Sequence, residues 1–320
     1  MPVAAVRTKP VAITRHPRRR ASGTGGAGRR RRSRRTPYLL IAPTVLLIMG
    51  FLVYPIASVV YYSLRHDVIT QPWDNGWAGL DNFAAMIHDA VFWHSLVFTA
   101  QWVAAEVGLQ LLLGLGLALI LNETFIGRGF ARALVFSPWA VSGVLTTGIW
   151  ILLYNPATGF FHYLANMGIG GQGTAVLAGP HTVFPAAVVS ELWRGVPFFA
   201  IILLAGLQGI PGDLYEAAAV DGAGRWRRFR HISLPHLRDA IVLATLLRAV
   251  WEFNNVDLLY TLTGGGPANE TTTLPLYVAK KAVDSHDFGY GSALTMAGFM
   301  ILLFFSIGYL RLGRFGTDRR

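Results

Sequence analysis

Glu191 and Arg194 stand three residues apart, and Arg248 and Glu252 four apart, each inside a stretch that is otherwise apolar. Both spacings put two side chains on one face of a helix, so each pair is placed to form an ion pair. Asn254 and Asn255 follow the second pair directly. Ionisable groups at membrane depth are costly unless they are paired or face a cavity. Two readings stay open: ion pairs that lock a helix bundle, or the lining of a pathway for a polar solute. Carboxylates and carboxamides suit a hydroxyl-rich solute, which presents many donors and acceptors around apolar ring faces. Glu106 has no cation at helical spacing, leaving it to pair across helices or to relay protons.

Other chemistry finds little support. Cysteine is absent, which removes disulfides and thiol catalysis. The histidines form no His-Glu-x-x-His motif, and His162, His181 and His286 are scattered through connections, so no metal site is expected. Gly264-Gly-Gly-Pro267 lacks the Lys-Ser/Thr of a phosphate-binding loop. No catalytic group and no cofactor bound by this chain are expected.

These polar residues must be positioned by a scaffold that water does not solvate. Of 320 residues 53% are hydrophobic and only 14% charged, with a mean hydropathy of +0.43, whereas soluble domains carry roughly a quarter charged residues. The net charge of +11 would suit nucleic acid, but 12 of the 28 basic residues precede Tyr38 and most others cluster at the ends of apolar runs. Residues 1–36 read as a disordered basic tail. Thr36–Leu64 has no Asp, Glu, Lys or Arg over 29 residues, more than the roughly 20 needed to cross a bilayer, and reads as an uncleaved first span with Pro43 and Pro55 as candidate kinks. Later spans are expected near 93–121, 133–154, 183–207, 240–260 and 288–310, giving an all-α polytopic membrane protein with six transmembrane helices. Gly108, Gly114, Gly116 and Ala118 would let another helix approach the second span. Pro138, Pro185 and Pro197 are candidate kinks, and Gly168–Gly173 marks a break. Trp73 and Trp77 in the wet 65–92 connection have the character of interface-seeking side chains.

Lys and Arg counts set the orientation. Residues 1–36, 122–132, 208–238 and the tail from Arg311 hold 23 of them, against Arg65, Lys280 and Lys281 in the opposite connections. The positive-inside rule then puts both termini and residues 208–238 in the cytoplasm. Within that segment Asp213 is expected to cap a helix, with Glu216 reaching back in a capping box. Ala217, Ala218 and Ala219 present a low face, Gly222 and Gly224 permit a turn, and Trp226, Phe229 and Ile232 form a stripe among Arg225, Arg227, Arg228 and Arg230, ended by Pro235. The element reads either as a basic amphipathic linker on anionic headgroups or as a helix-turn-helix that docks a soluble partner.

Glu216-Ala-Ala218, Gly222 and Ile232-Ser-Leu-Pro235, at this spacing, resemble the cytoplasmic loop signature of permease subunits in binding-protein-dependent ABC importers. Tyr215–Ala223, Leu262-Thr-Gly-Gly-Gly-Pro267, Gly79-Leu-Asp-Asn-Phe83, Ser137-Pro-Trp139 and Trp193–Phe198 are similar to the carbohydrate-importing, maltose-type branch. The resemblance implies a membrane domain over 37–315 with a coupling loop at 211–237 and a cytoplasmic tail at 316–320. It implies a second homologous permease, two ATPase subunits that bind ATP and Mg2+, an extracellular solute-binding protein and surrounding membrane lipid as partners, in the cell (inner) membrane. Glu216, Ala217, Ala218, Asp221, Gly222, Trp226 and Phe229 would meet an ATPase. Glu191, Arg194, Arg248, Glu252, Asn254 and Asn255 are the candidate solute pathway. The implied function is inward movement of a sugar or oligosaccharide; a related polar solute such as a polyol phosphate, or ion-coupled transport through Glu106 and Glu191, are the alternatives.

Overall fold

The computed structural model describes residues 36–168 and 175–313. The readings on the basic tail, on most of the Gly168–Gly173 run and on the 316–320 tail lie outside the described residues. The chain divides into two units, Met1–Leu52 and Val53–Arg320. The first contains α1 (Thr36–Ile48), with Pro43 inside it.

The second unit opens with α2 (Tyr54–Ser63), in which Pro55 follows directly on a π turn at Met49–Val53, a local irregularity of the helical ladder that accommodates a proline. A short antiparallel hairpin, β1 (Arg65–His66) with β2 (Gly76–Trp77), and α3 (Asp81–Ile87) lead to the 33-residue α4 (Ala90–Asn122). Then follow α5 (Arg128–Phe136), α6 (Gly143–Leu153), α7 (Phe160–Asn166), α8 (Val183–Gln208), α9 (Gly212–Val220), α10 (Arg225–Arg228), α11 (Leu234–Phe253), α12 (Asp257–Thr263), α13 (Leu274–Ala279) and α14 (Phe288–Leu312).

Among the described residues four helices are long and apolar enough to cross a membrane: Tyr38–Ser63, Ala90–Asn122, Val183–Gln208 and Phe288–Leu312. They differ in what covers them. The apolar window of Val183–Gln208 is 67% buried by the protein itself, whereas that of Tyr38–Ser63 holds no buried residue. α8 is thus the central helix, and outer helices leave apolar side chains for lipid.

Two expected spans differ from the sequence reading. The third is not one helix: Arg128–Ala140 and Gly143–Leu153 meet at 96°. Pro138, in the 3-10 turn Ser137–Ala140, and extended Val141 and Ser142 interrupt the ladder. The fifth begins earlier and stops earlier than 240–260. α11 ends at Phe253, and a break over 254–256 precedes α12. Asn254 Nδ2 donates to the Val250 carbonyl at 2.8 Å, the local side-chain bond by which asparagine competes with a helix.

The core joins α4, α8 and α11 through Val107, Leu121, Phe199, Leu203, Leu237 and Ala249. Gly114 sits at the α4–α8 crossing, where an added Cβ would lie 2.5 Å from Phe199 Cβ and 3.1 Å from the Ala200 nitrogen. Gly108 and Gly116, expected to serve the same purpose, have open space instead. At the far end of the bundle Asp89 caps α4, its Oδ1 accepting from Val91 N at 2.8 Å. Its Oδ2 accepts from the Tyr277 hydroxyl at 2.5 Å and the Tyr290 hydroxyl at 2.6 Å, tying α13 and α14 to α4. Burial pushes the Asp89 carboxyl up, but the two tyrosine hydroxyls and the Val91 and Phe92 amides outweigh it and hold it below the ordinary carboxylate value.

Two outcomes follow from this packing. Gly114→Ala lowers thermal stability by about 1–3 kcal/mol through overpacking, while Gly116→Ala loses none; equal melting temperatures for the two variants contradict the crossing. Because Asp89 is held low, its contribution is present above the ordinary carboxylate range and is lost as pH falls through it. The stability gap between wild type and Tyr277→Phe/Tyr290→Phe, followed by thermal unfolding, therefore narrows from about pH 6 to about pH 3; a pH-independent gap contradicts this role.

Candidate functional site

The two ion pairs expected from spacing form, and they merge into one cluster across three helices. Arg194 NH2 contacts Glu191 Oε1 at 2.9 Å and Oε2 at 3.1 Å within α8. Arg248 NH2 contacts Glu252 Oε1 at 2.5 Å within α11 and Glu191 Oε1 at 2.8 Å across to α8. Gln110 of α4 closes the network. Its Oε1 accepts from Arg248 Nε at 2.6 Å, and its Nε2 donates to Glu106 Oε2 at 2.9 Å and Glu252 Oε1 at 3.2 Å.

Burial is extreme for such a set. Glu106, Gln110, Glu191 and Glu252 are at most 1% exposed, and isolated charges at that depth would not be tolerated. Gly195 provides the room: a Cβ there would run into the Gln110 amide and the Arg248 guanidinium, both already locked by their bonds. Glu106 keeps one oxygen, Oε1, buried without a partner, and no cation among the described residues lies within ion-pair distance of it.

The cluster opens at one side. The Arg194 side chain is 26% exposed, against none for Glu191. It also reaches the bend of the broken α5–α6 pair, where a Cβ on Gly143 would be 3.1 Å from Arg194 NH1. Asn255 Nδ2 approaches Glu252 Oε2 at 3.4 Å, and exposed Asn254 lies at the helix break. Glu191, Arg194, Arg248, Glu252 and Asn255 are therefore gathered in space, whereas Asn254 turns back on its own helix. Gln110 is absent from the sequence reading, and Gly195 enters it only within the Trp193–Phe198 stretch. Gln110 lies four residues after Glu106, a usable signal, but an uncharged side chain does not stand out in an apolar run.

The loop at the opposite end of α8 is built from α9 and α10. α9 ends on a Schellman motif: Ala223 N donates to Ala218 O at 2.8 Å and Gly222 N to Ala219 O at 3.1 Å, with Gly222 at φ +70°. The expected capping box is not formed. Pro211 occupies the N-cap, no side chain caps α9, and Asp213 sits in the first turn, where its charge complements the positive end of the helix dipole without capping it. Nor does Pro235 end a helix. It occupies the first turn of α11, and Arg225–Phe253 is helical throughout, with a π turn at Phe229–Ser233. Tyr215 and Ser233 hydroxyls meet at 2.9 Å, and Tyr215 and Ile232 pack on the core, so the loop is fixed to the bundle. Its outer face shows Glu216, Ala217, Asp221, Gly222 and Trp226, with the Phe229 ring tilted against Trp226 at 5.5 Å between centroids and Ala218 half-buried.

Residues 110–314 match the family model of the binding-protein-dependent transport system inner membrane component. The chain belongs to that family. Members with similar sequences include the trehalose/maltose transport system permease protein MalF of Thermococcus litoralis, 38% identical over 88% of this chain and 94% of the relative. The sulfoquinovosyl glycerol transport system permease protein SmoG of Agrobacterium fabrum is 36% identical over 86% and 89%, and the trehalose transport system permease protein SugA of Mycobacterium tuberculosis 33% over 89% and 91%. The fold is similar to that of a chain in a bacterial ABC transporter involved in import of alginate, with a TM-score of 0.75 over 88% of this chain and 96% of that one at 23% identity. As a permease of this family the chain is a transport component of the inner membrane. No group of three or more metal-ligating side chains is present among the described residues.

Gln110→Leu leaves the Arg248 Nε and the Glu106 carboxylate without a partner, at roughly 1–3 kcal/mol for each unmade bond. Thermal unfolding of the assembled complex is expected to shift downward by several degrees; an unchanged midpoint contradicts the bridging role of Gln110.

Proposed function

We propose that this permease is one of two membrane subunits of an ATP-driven importer that moves a sugar or oligosaccharide into the cell. The carrying observation is its near full-length similarity to trehalose/maltose and trehalose permeases, 38% and 33% identical. Six crossings are proposed, with the bent α5–α6 pair and α11–α12 each counted as one, and with both termini cytoplasmic. The excess of Lys and Arg in residues 1–36, 122–132, 208–238 and the tail supports that orientation.

In this reading α9 is a coupling helix. Glu216, Ala217, Ala218, Asp221 and Gly222, with Trp226 and Phe229 beside them, rest on one of two ATPase subunits that bind ATP and Mg2+. The low alanine face lets that partner approach closely, and the left-handed turn at Gly222 directs the chain back to α11. Because Tyr215 and Ile232 pack on the bundle, a push on α9 is delivered to α8 and α11 as a rigid-body displacement. Nucleotide then favours one orientation only if it binds the two with different affinity.

A solute-binding protein would deliver the sugar at the opposite end. Arg194, Asn254 and Asn255 line its way as the accessible members of the polar set. Glu191, Arg248 and Glu252 stand behind them and hold Arg194 in position. A guanidinium and carboxamides offer hydroxyl groups several donors with defined directions.

In proteoliposomes carrying the complete transporter, Glu216→Ala and Gly222→Val each lower ATP-driven uptake by about tenfold or more, with assembly in the membrane unchanged. Normal uptake in both variants contradicts coupling through α9. Uptake that persists after ATP depletion with the proton gradient intact would assign transport to an ion-driven mechanism instead.

A further inference from the structure

We propose that the Arg65–Trp77 hairpin is an interfacial anchor that seats two tryptophans in the lipid headgroup region, at the end of the bundle away from the α9 loop. Trp73 is 81% exposed and Trp77 70%. Large aromatic side chains left this open to water forgo most of their burial energy, so a pair of them on one small element marks a contact surface.

The level of the hairpin identifies the surface it meets. Trp77 is the register partner of Arg65, which lies two residues beyond the end of α2 at Ser63. Ala78 and Gly79 nitrogens both donate to Leu64 O, at 2.9 and 3.0 Å, so the second strand returns to the very end of the apolar helix. The exposed apolar side chains of α2, among them Ile56 and Val60, have no cover within the described residues and are suited to lipid. The lipid surface is therefore continuous with the place where Trp77 projects. The same level carries Tyr61, Trp93 in the first turns of α4, and Phe288 at the start of α14, all exposed. This is the distribution of an aromatic belt, in which amphipathic rings sit among headgroups.

The hairpin is rigid enough to hold the rings there. Ile69 N donates to His286 O at 3.1 Å, and Phe288 N to Asp67 O at 2.9 Å, fastening it to the start of α14. Asn82 Nδ2 donates to Ser63 O at 3.0 Å and to Arg65 O at 2.8 Å, fixing the root. Gly289 allows the contact with α14, since a Cβ there would strike the Arg65 carbonyl. Asp74, between the two tryptophans in sequence, supplies the polar side that faces water.

The chain contains no cysteine, so an introduced cysteine is its single labelling site, and any cysteines of the partner subunits are replaced by serine. Trp73→Cys, Trp77→Cys and Asp74→Cys are each spin-labelled in the full transporter in lipid nanodiscs, and collision with oxygen and with a water-soluble nickel chelate is measured. The oxygen-to-nickel ratio is expected to be several-fold higher at 73 and 77 than at 74. Equal ratios at the three positions overturn the proposal. So does protection of 73 and 77 that appears only when the solute-binding protein is added, which would assign the surface to that protein. A readout without labels uses bilayers containing brominated lipid. Trp73→Phe/Trp77→Phe is expected to remove emission that the bromine quenches, and loss of unquenched emission alone contradicts lipid contact.

Discussion

Arg248 is enclosed by apolar helices and is tolerated only because three acceptors converge on it. Glu252 comes from its own helix, Glu191 from α8 and Gln110 from α4. Three separate segments of chain must arrive together before the charge is satisfied, and a missing partner leaves a buried ion uncompensated at roughly 3–5 kcal/mol. That requirement explains neighbouring choices. Gly195 is small because the guanidinium and the Gln110 amide fill its side of α8, and Gly114, one helical turn along α4 from Gln110, brings α4 against Phe199. The cluster fixes the relative register of α4, α8 and α11, and the apolar core below it packs on that register.

A bundle locked at its centre by a polar cluster can move as a body, and its ends are where other elements attach. At one end α9 hangs on the Tyr215–Ser233 contact and stops at Gly222. At the other, Asp89, Tyr277 and Tyr290 gather three elements around one carboxylate. Between them the helical path is interrupted at Ser137–Ser142, where Arg194 reaches the bend, and again at 254–256. Interrupted helices at membrane depth free backbone groups, which is tolerated where protein or a water-filled cavity surrounds them.

Much of this was legible in the residues. Long apolar runs located α2, α4, α8 and α14 because lipid demands long apolar helices, and three- and four-residue spacings foretold both intrahelical ion pairs. What the residues did not reveal depends on tertiary partners. The union of the two pairs required knowing that α8 and α11 face each other, and Gln110 carries no charge to draw notice. Pro138 marks a candidate kink in the sequence, but the right-angled bend after Ala140 is hidden in a run of uniform hydropathy. Asp213 and Glu216 have the spacing of a capping box, but Pro211 already supplies the N-cap. Of three glycines expected to admit a neighbouring helix, Gly114 alone does so, because the face of α4 that meets α8 cannot be told from composition.

The most direct test of the central claim is a double-mutant cycle on Glu191→Gln and Arg248→Met, read as thermal or denaturant stability of the purified transporter. If the buried pair holds α8 to α11, each single variant is strongly destabilised, and the double variant recovers part of the loss, with a coupling of about 1–3 kcal/mol. Additive losses, with no recovery in the double variant, would contradict the account.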